Sequence, residues 1–265
     1  MNFAEVNFSS SLHKVMFPHR QQLLVTLGTR VSSSYQKARG TCIRRLSMSR
    51  HTGSGSRFVL ETIIGTNVIV FVAWQAAMKD YQLNSFMKRH FTTSSIGVIY
   101  RRDYHTLITS AFSHISVWHL AGNMLVLYSF GFDTLTQLGS SRFLLLYLGG
   151  GLVSSLALVA WPSVIPRSWP AYYQYDHNAV GLGASGAVNA VIAWSIFKWP
   201  RSIIYLYGVL PLPAALLGVG FICYDAVDLY YGSTRNVGNA SHLCGAVYGA
   251  LFYAGTRRLS SYRRF

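Results

Sequence analysis

Between residues 60 and 256 the chain alternates long apolar runs with shorter connections that carry most of the charge of this region. A helix crossing the hydrocarbon of a bilayer needs about 20 predominantly apolar residues, with about 17–25 tolerated. Six runs meet that rule, at 60–78, 115–135, 143–161, 182–199, 211–230 and 240–256. The fifth opens on Pro211 and Pro213, residues suited to the first turn of a helix. The pattern predicts an all-α membrane protein, a six-helix bundle with both ends on one side. Runs two, four and six then point the same way, so residues near their N-terminal ends share a depth. The connection 79–114 interleaves Phe86, Met87, Phe91, Ile99 and Tyr104 with Lys88, Arg89, Arg101 and Arg102, which fits a long first loop lying partly in the membrane interface. Residues 201–210, "RSIIYLYGVL", read as a second, shorter interfacial piece.

Composition strengthens the membrane reading. The chain is 51% hydrophobic and only 12% Asp, Glu, Lys or Arg, about half the charged fraction usual in soluble domains. Its net charge of +15 raises nucleic acid as a partner, but the basic residues beyond the N-terminus stand between apolar runs, as membrane flanks do, and no nucleic-acid partner is expected. Their bias between the two sides is too small to set an orientation. Residues 1–57 differ from the rest: nine Lys/Arg and ten Ser against one acid, Glu5, with no long apolar stretch. That is the composition of an organelle transit peptide or a basic tail, mitochondrial in preference to plastid. The expected organisation is therefore a leader at 1–57, a six-span domain at 58–256 and a basic tail at 257–265, in the mitochondrial inner membrane. Cys42, Cys223 and Cys244 are an odd set without metal-ligand spacing, which points to neither a disulfide framework nor zinc; no metal or cofactor is expected.

The polar residues at the shared depth are few. His114 and His119 open the second run, Ser185 the fourth and His242 the sixth. A serine becomes a nucleophile when a base within hydrogen-bond reach takes its proton, and His242 is the candidate base for Ser185. Asp133, Asp225 and Asp228 are expected towards the far ends of their helices, where the latter two can snorkel to the interface, so the pattern favours a Ser-His dyad over a triad. Removing one oxyanion donor costs about 10²–10³ in rate, so donors should be visible. Ser185 stands at a helix N-terminus with unpaired backbone N–H groups, and His119 and Asn123, four apart, share a helix face. Gly183 and Gly186 let another backbone approach the serine. Each feature has a plainer reading: small residues pack membrane helices, as Gly245 and Gly249 of "GAVYG" do, and a single histidine can be a buried hydrogen bonder. The coincidence of depth on three like-directed helices favours chemistry.

These residues resemble the rhomboid family of intramembrane serine proteases. H-x4-H-x3-N matches at His114, His119 and Asn123; GxSG at Gly183, Ser185 and Gly186; and AxHxxGxxxG at Ala240, His242, Gly245 and Gly249. "WHLAGNMLVLYSFG" and "GASGAV" are most similar to the mitochondrial, presenilin-associated rhomboid-like members. The resemblance implies Ser185 as nucleophile, His242 as general base, His119, Asn123 and the Ser185 N–H as oxyanion hole, and His114 as support at a water-accessible cavity. It also implies substrates that are single-pass transmembrane proteins. Two positions depart from the family pattern: the Trp-Arg pair of the first loop is replaced near His105 and Thr106, and the aromatic one turn after the serine is Asn189. The alternative function is a catalytically inactive rhomboid-like factor that binds membrane proteins; a small transporter is disfavoured because the polar groups gather near one face without an internal repeat.

Overall fold

The computed structural model describes residues 54–174, 179–206, 210–231 and 238–262. The expected transit peptide lies outside them except for residues 54–57, which already belong to the first helix. Seven helices of eight or more residues are present among the described residues: α1 (Ser54–Ala77), α2 (Tyr81–Phe91), α3 (Val117–Leu138), α4 (Ser140–Val164), α5 (Ser185–Lys198), α6 (Ala214–Tyr231) and α7 (Gly238–Tyr262). All except α2 overlie the six apolar runs. α7 continues six residues past the expected boundary at 256, because no Gly or Pro interrupts residues 257–262.

Length and apolarity alone qualify three helices to cross a membrane: Arg57–Ala77, Ser140–Val164 and Ala214–Tyr231. A fourth qualifies if α3 is joined to Thr106–Phe112 across a 92° bend. The six helices are thus found, but six independent spans are not carried by that criterion. α5 has 14 residues, roughly 21 Å at 1.5 Å per residue, and α7 includes Asn239, Ser241, His242 and two arginines.

α5 is the centre of the bundle. Eight of its residues are buried, among them Ala187, Ala190, Val191 and Trp194, as suits a helix apolar on every side. Leu127 and Leu135 of α3 and Phe143, Leu146 and Tyr147 of α4 close the same core. A single residue, Gly139 at φ +79°, turns α3 into α4, in the left-handed region that glycine adopts without strain. α6 is peripheral. It sets Gly218 against Ile196 of α5 and leaves Leu216, Val219, Phe221, Ile222 and Val227 exposed, which is cheap where the surrounding solvent is lipid.

One expectation is corrected: Pro211 and Pro213 do not open helix five. Instead, β1 (Ile203–Leu206) pairs antiparallel with β2 (Leu210–Pro213), with Ile203 opposite Pro213 and Ile204 opposite Leu212. Proline is tolerated there because each strand of a two-stranded ribbon is an edge. The N–H of Ala214 donates to the Ser202 carbonyl at 2.8 Å, so α6 starts immediately after the hairpin.

The first loop is more ordered than a polar connection. Asp80 caps α2 by accepting from the N–H groups of Gln82 and Leu83 at 2.8 and 3.1 Å, and Met87 packs on Val70, Trp74 and Ala77 of α1. His105, near which the Trp-Arg pair is missing, makes a ring-to-ring hydrogen bond of 2.9 Å with His90. The buried Asp103 carboxylate pairs with Arg101 at 3.0 Å and Arg89 at 3.7 Å. Replacing Asp103 by alanine strands two half-exposed guanidinium groups and is expected to cost about 1–2 kcal/mol. A lower SDS midpoint for unfolding in mixed micelles would record it.

Candidate active site

The approach to Ser185 is held from three directions. Thr93 of the first loop and Gly181 exchange both backbone hydrogen bonds, at 2.9 and 2.8 Å. Gly183 then donates its N–H to the Ser110 carbonyl at 2.9 Å with φ at +131°, a conformation that favours glycine. A Cβ there would also strike the His119 ring. Finally, the Ala184 N–H donates to Nε2 of His114 at 3.3 Å. His114 is fully buried and packs edge-on to His119 at 4.9 Å between ring centres. It holds the residue before the serine from inside the protein and does not line the cavity where the resemblance placed it. Ser185 follows as the first residue of α5, where the leading backbone N–H groups lack intrahelical acceptors.

The serine Oγ lies 2.8 Å from Nε2 of His242. Glycine makes that approach possible. A Cβ on Gly245 would collide with the Gly186 carbonyl, and one on Gly249 with the backbone of Ala190. The contacts advance in step, 186 with 245 and 190 with 249, so α5 and α7 run parallel with their backbones nearly touching. Ser154 of α4 donates to the Ser241 carbonyl at 2.8 Å, which secures the start of α7 next to the histidine.

The structure corrects the expectation that no carboxylate shares this depth. Oδ1 of Asp225 lies 3.3 Å from Nδ1 of His242. α6 runs opposite to α7, so the last turns of α6 stand beside the first turns of α7. Asp225 precedes the end of α6 by six residues and His242 follows the start of α7 by four, which brings them level. Comparing only like-directed helices misses this residue; the end of an antiparallel neighbour is the signal that finds it. Asp228 is likewise buried and accepts from the Asn239 amide, so neither acid reaches out to the interface.

Ser185, His242, His119, Gly183 and Gly186 line one cavity of about 310 Å³. His114 and Asn123 are not among its lining residues. The Asn123 amide donates to the His119 carbonyl at 2.9 Å, which uses one of its two N–H bonds. Asn189, one turn below the serine, lines a narrow cleft of about 30 Å³ between α5 and α6 together with Asp225, His242 and Phe221. Among the described residues no cluster of His, Cys, Asp or Glu stands at metal-binding spacing; Cys223 is exposed, Cys244 is half-buried, and Cys42 lies outside the described residues. A hydroxyl hydrogen-bonded to an imidazole, beside donors and in an open cavity, is the arrangement that acyl transfer requires.

Known proteins similar to this chain share one family. The rhomboid domain model matches residues 101–258. RHOMBOID-like protein 12, mitochondrial, of Arabidopsis thaliana is 35% identical over 78% of this chain and 60% of its own length. Rhomboid protein 1, mitochondrial, of Saccharomyces cerevisiae is 32% identical over 72% and 51%. Presenilin-associated rhomboid-like protein, mitochondrial, of Homo sapiens is 30% identical over 71% and 45%. The chain spans about half the length of the curated relatives it matches. Their mitochondrial names agree with the organelle expected from residues 1–57, and the apolar helices are those of a multi-pass membrane protein. The matched domain, the three motifs in order and the parallel α5–α7 pair that carries two of them place this chain in the rhomboid family.

Proposed function

We propose that this protein is an intramembrane serine endopeptidase that cleaves single-pass membrane proteins. The observation that carries the reading is the 2.8 Å contact between Ser185 Oγ and His242 Nε2 at the wall of an open cavity. In the first half-reaction Ser185 Oγ attacks the scissile carbonyl carbon while His242 Nε2 takes the hydroxyl proton. The resulting oxyanion is stabilised by the Ser185 backbone N–H and by His119, whose carbonyl the Asn123 amide holds at 2.9 Å. Collapse of the tetrahedral species breaks the C–N bond, and the imidazolium returns its proton to the leaving amine. In the second half-reaction His242 deprotonates a water that attacks the acyl ester, and the proton goes back to Ser185 Oγ. Gly183 leaves room for the His119 ring, and Gly186 for the Ser154 side chain, beside the serine. His114 holds the Ala184 N–H and so fixes the angle at which α5 presents the serine.

A fluorophosphonate probe tests the assignment without knowledge of the substrate. The detergent-solubilised protein is expected to gain one covalent adduct, located by peptide mass spectrometry on Ser185. No adduct, or one on another serine, overturns the reading and leaves a non-catalytic binder of membrane proteins.

A further inference from the structure

We infer that Asp225 is a positioning residue for the catalytic histidine, so that Ser185, His242 and Asp225 form one hydrogen-bonded row across three helices; this rests on the peptidase reading above. A neutral imidazole that accepts the serine proton at Nε2 must carry its own proton on Nδ1. That is the nitrogen facing Asp225 Oδ1 at 3.3 Å. The carboxylate therefore selects the tautomer that leaves Nε2 free as a base, and it holds the ring against rotation. When the serine proton moves to Nε2, the imidazolium donates to the carboxylate in a charge-assisted bond, stronger than its neutral counterpart. The proton on Nδ1 stays there throughout, and Asp225 ends each half-reaction as it began.

Three observations separate this from a structural role. Asp225 is 9% exposed on a helix whose outward positions are apolar, and a buried carboxylate in a membrane segment is costly unless it has a partner. Among the described residues its hydrogen-bond and ion-pair partner is His242, with no Lys or Arg at ion-pair distance. The task of tying α6 to α7 is met separately by Asp228, one turn on, through Asn239. The space that admits the carboxylate is polar on its other wall as well, since Asn189 of α5 lines the same cleft.

Three proteins, wild type, Asp225→Asn and Asp225→Glu, are compared by fluorophosphonate labelling rate and by cleavage of a single-pass reporter in proteoliposomes, with the SDS midpoint recorded for each. Asp225→Asn keeps the shape but offers an amide, and is expected to lower labelling rate and kcat by about 10²–10⁴-fold, with KM within about threefold of wild type. Asp225→Glu restores a carboxylate and is expected to recover at least about tenfold over Asp225→Asn. The inference is overturned if wild type is labelled and Asp225→Asn is labelled at the same rate, a result that leaves the peptidase reading intact. It is also overturned if Asp225→Asn loses rate only in proportion to folded protein, or if Asp225→Glu recovers nothing. Failure of wild type itself to label or cleave sinks the peptidase reading, and this inference with it.

Discussion

Ser185→Ala is expected to abolish reporter cleavage, with a fall in kcat of about 10⁶-fold. Alanine leaves the helix start and the packing of α5 unchanged, since Ser185 is half-buried and, among the described residues, its side-chain hydrogen bond is the one to His242. What disappears is the atom that forms the ester. His242→Ala is expected to cost about as much, because an unactivated hydroxyl at neutral pH is a weak nucleophile. The double variant should be no worse than either single one: two groups that act as one unit are lost once. Progress curves on a fluorogenic single-pass reporter in proteoliposomes check all three. Additive losses, or substantial cleavage by either single variant, would show that serine and histidine do not form one catalytic unit.

The largest expected effect on folding comes from Gly249→Val. The position faces the backbone of Ala190, and backbone atoms cannot rotate aside as a side chain can. Overpacking usually costs about 1–3 kcal/mol; here the helices must part, and a loss of at least about 3 kcal/mol is expected. Activity should fall further than stability, because α5 and α7 carry Ser185 and His242 and any separation opens the 2.8 Å contact. Gly255→Ala on the same helix is the control. A Cβ at that position meets nothing within 4 Å, and alanine favours helix over glycine by roughly 0.5–1 kcal/mol. SDS titration with parallel activity measurements should therefore move the two variants in opposite directions. Equal tolerance at both sites would mean that α5 and α7 do not pack backbone to backbone.

Much of the architecture is legible in the chain, and the particular residues say why. Hydropathy along the chain locates all six helices, although only three of them, or four with the bent pair, are long and apolar enough by themselves to cross a bilayer. Alternation of direction then brings Ser185, His119 and His242 to one level, and glycines at 186, 245 and 249 announce a close helix pair. The errors fall where local pattern and tertiary partner disagree. Pro211 and Pro213 look like a helix start, but a neighbouring strand at Ile203–Leu206 makes them part of a hairpin. His114 reads as another polar group at the cavity, yet its acceptor nitrogen is taken by the Ala184 N–H in the interior. Asn123 shares a face with His119, as the spacing requires, but one of its N–H bonds turns back onto its own helix.

Hydropathy and spacing along the chain give the class of protein, the order and direction of its helices, and a serine and a histidine at one depth. Which flanks of those helices touch follows from their packing alone. In water, an amphipathic stripe marks the buried side of a helix. In lipid both sides are apolar, so the exposed Leu216 and Val219 of α6 look no different from the buried Val188 and Val191 of α5. Asp225 is the consequence. Its carboxylate reaches His242 because two antiparallel helices pack side by side, a lateral choice that hydropathy along a single chain does not encode.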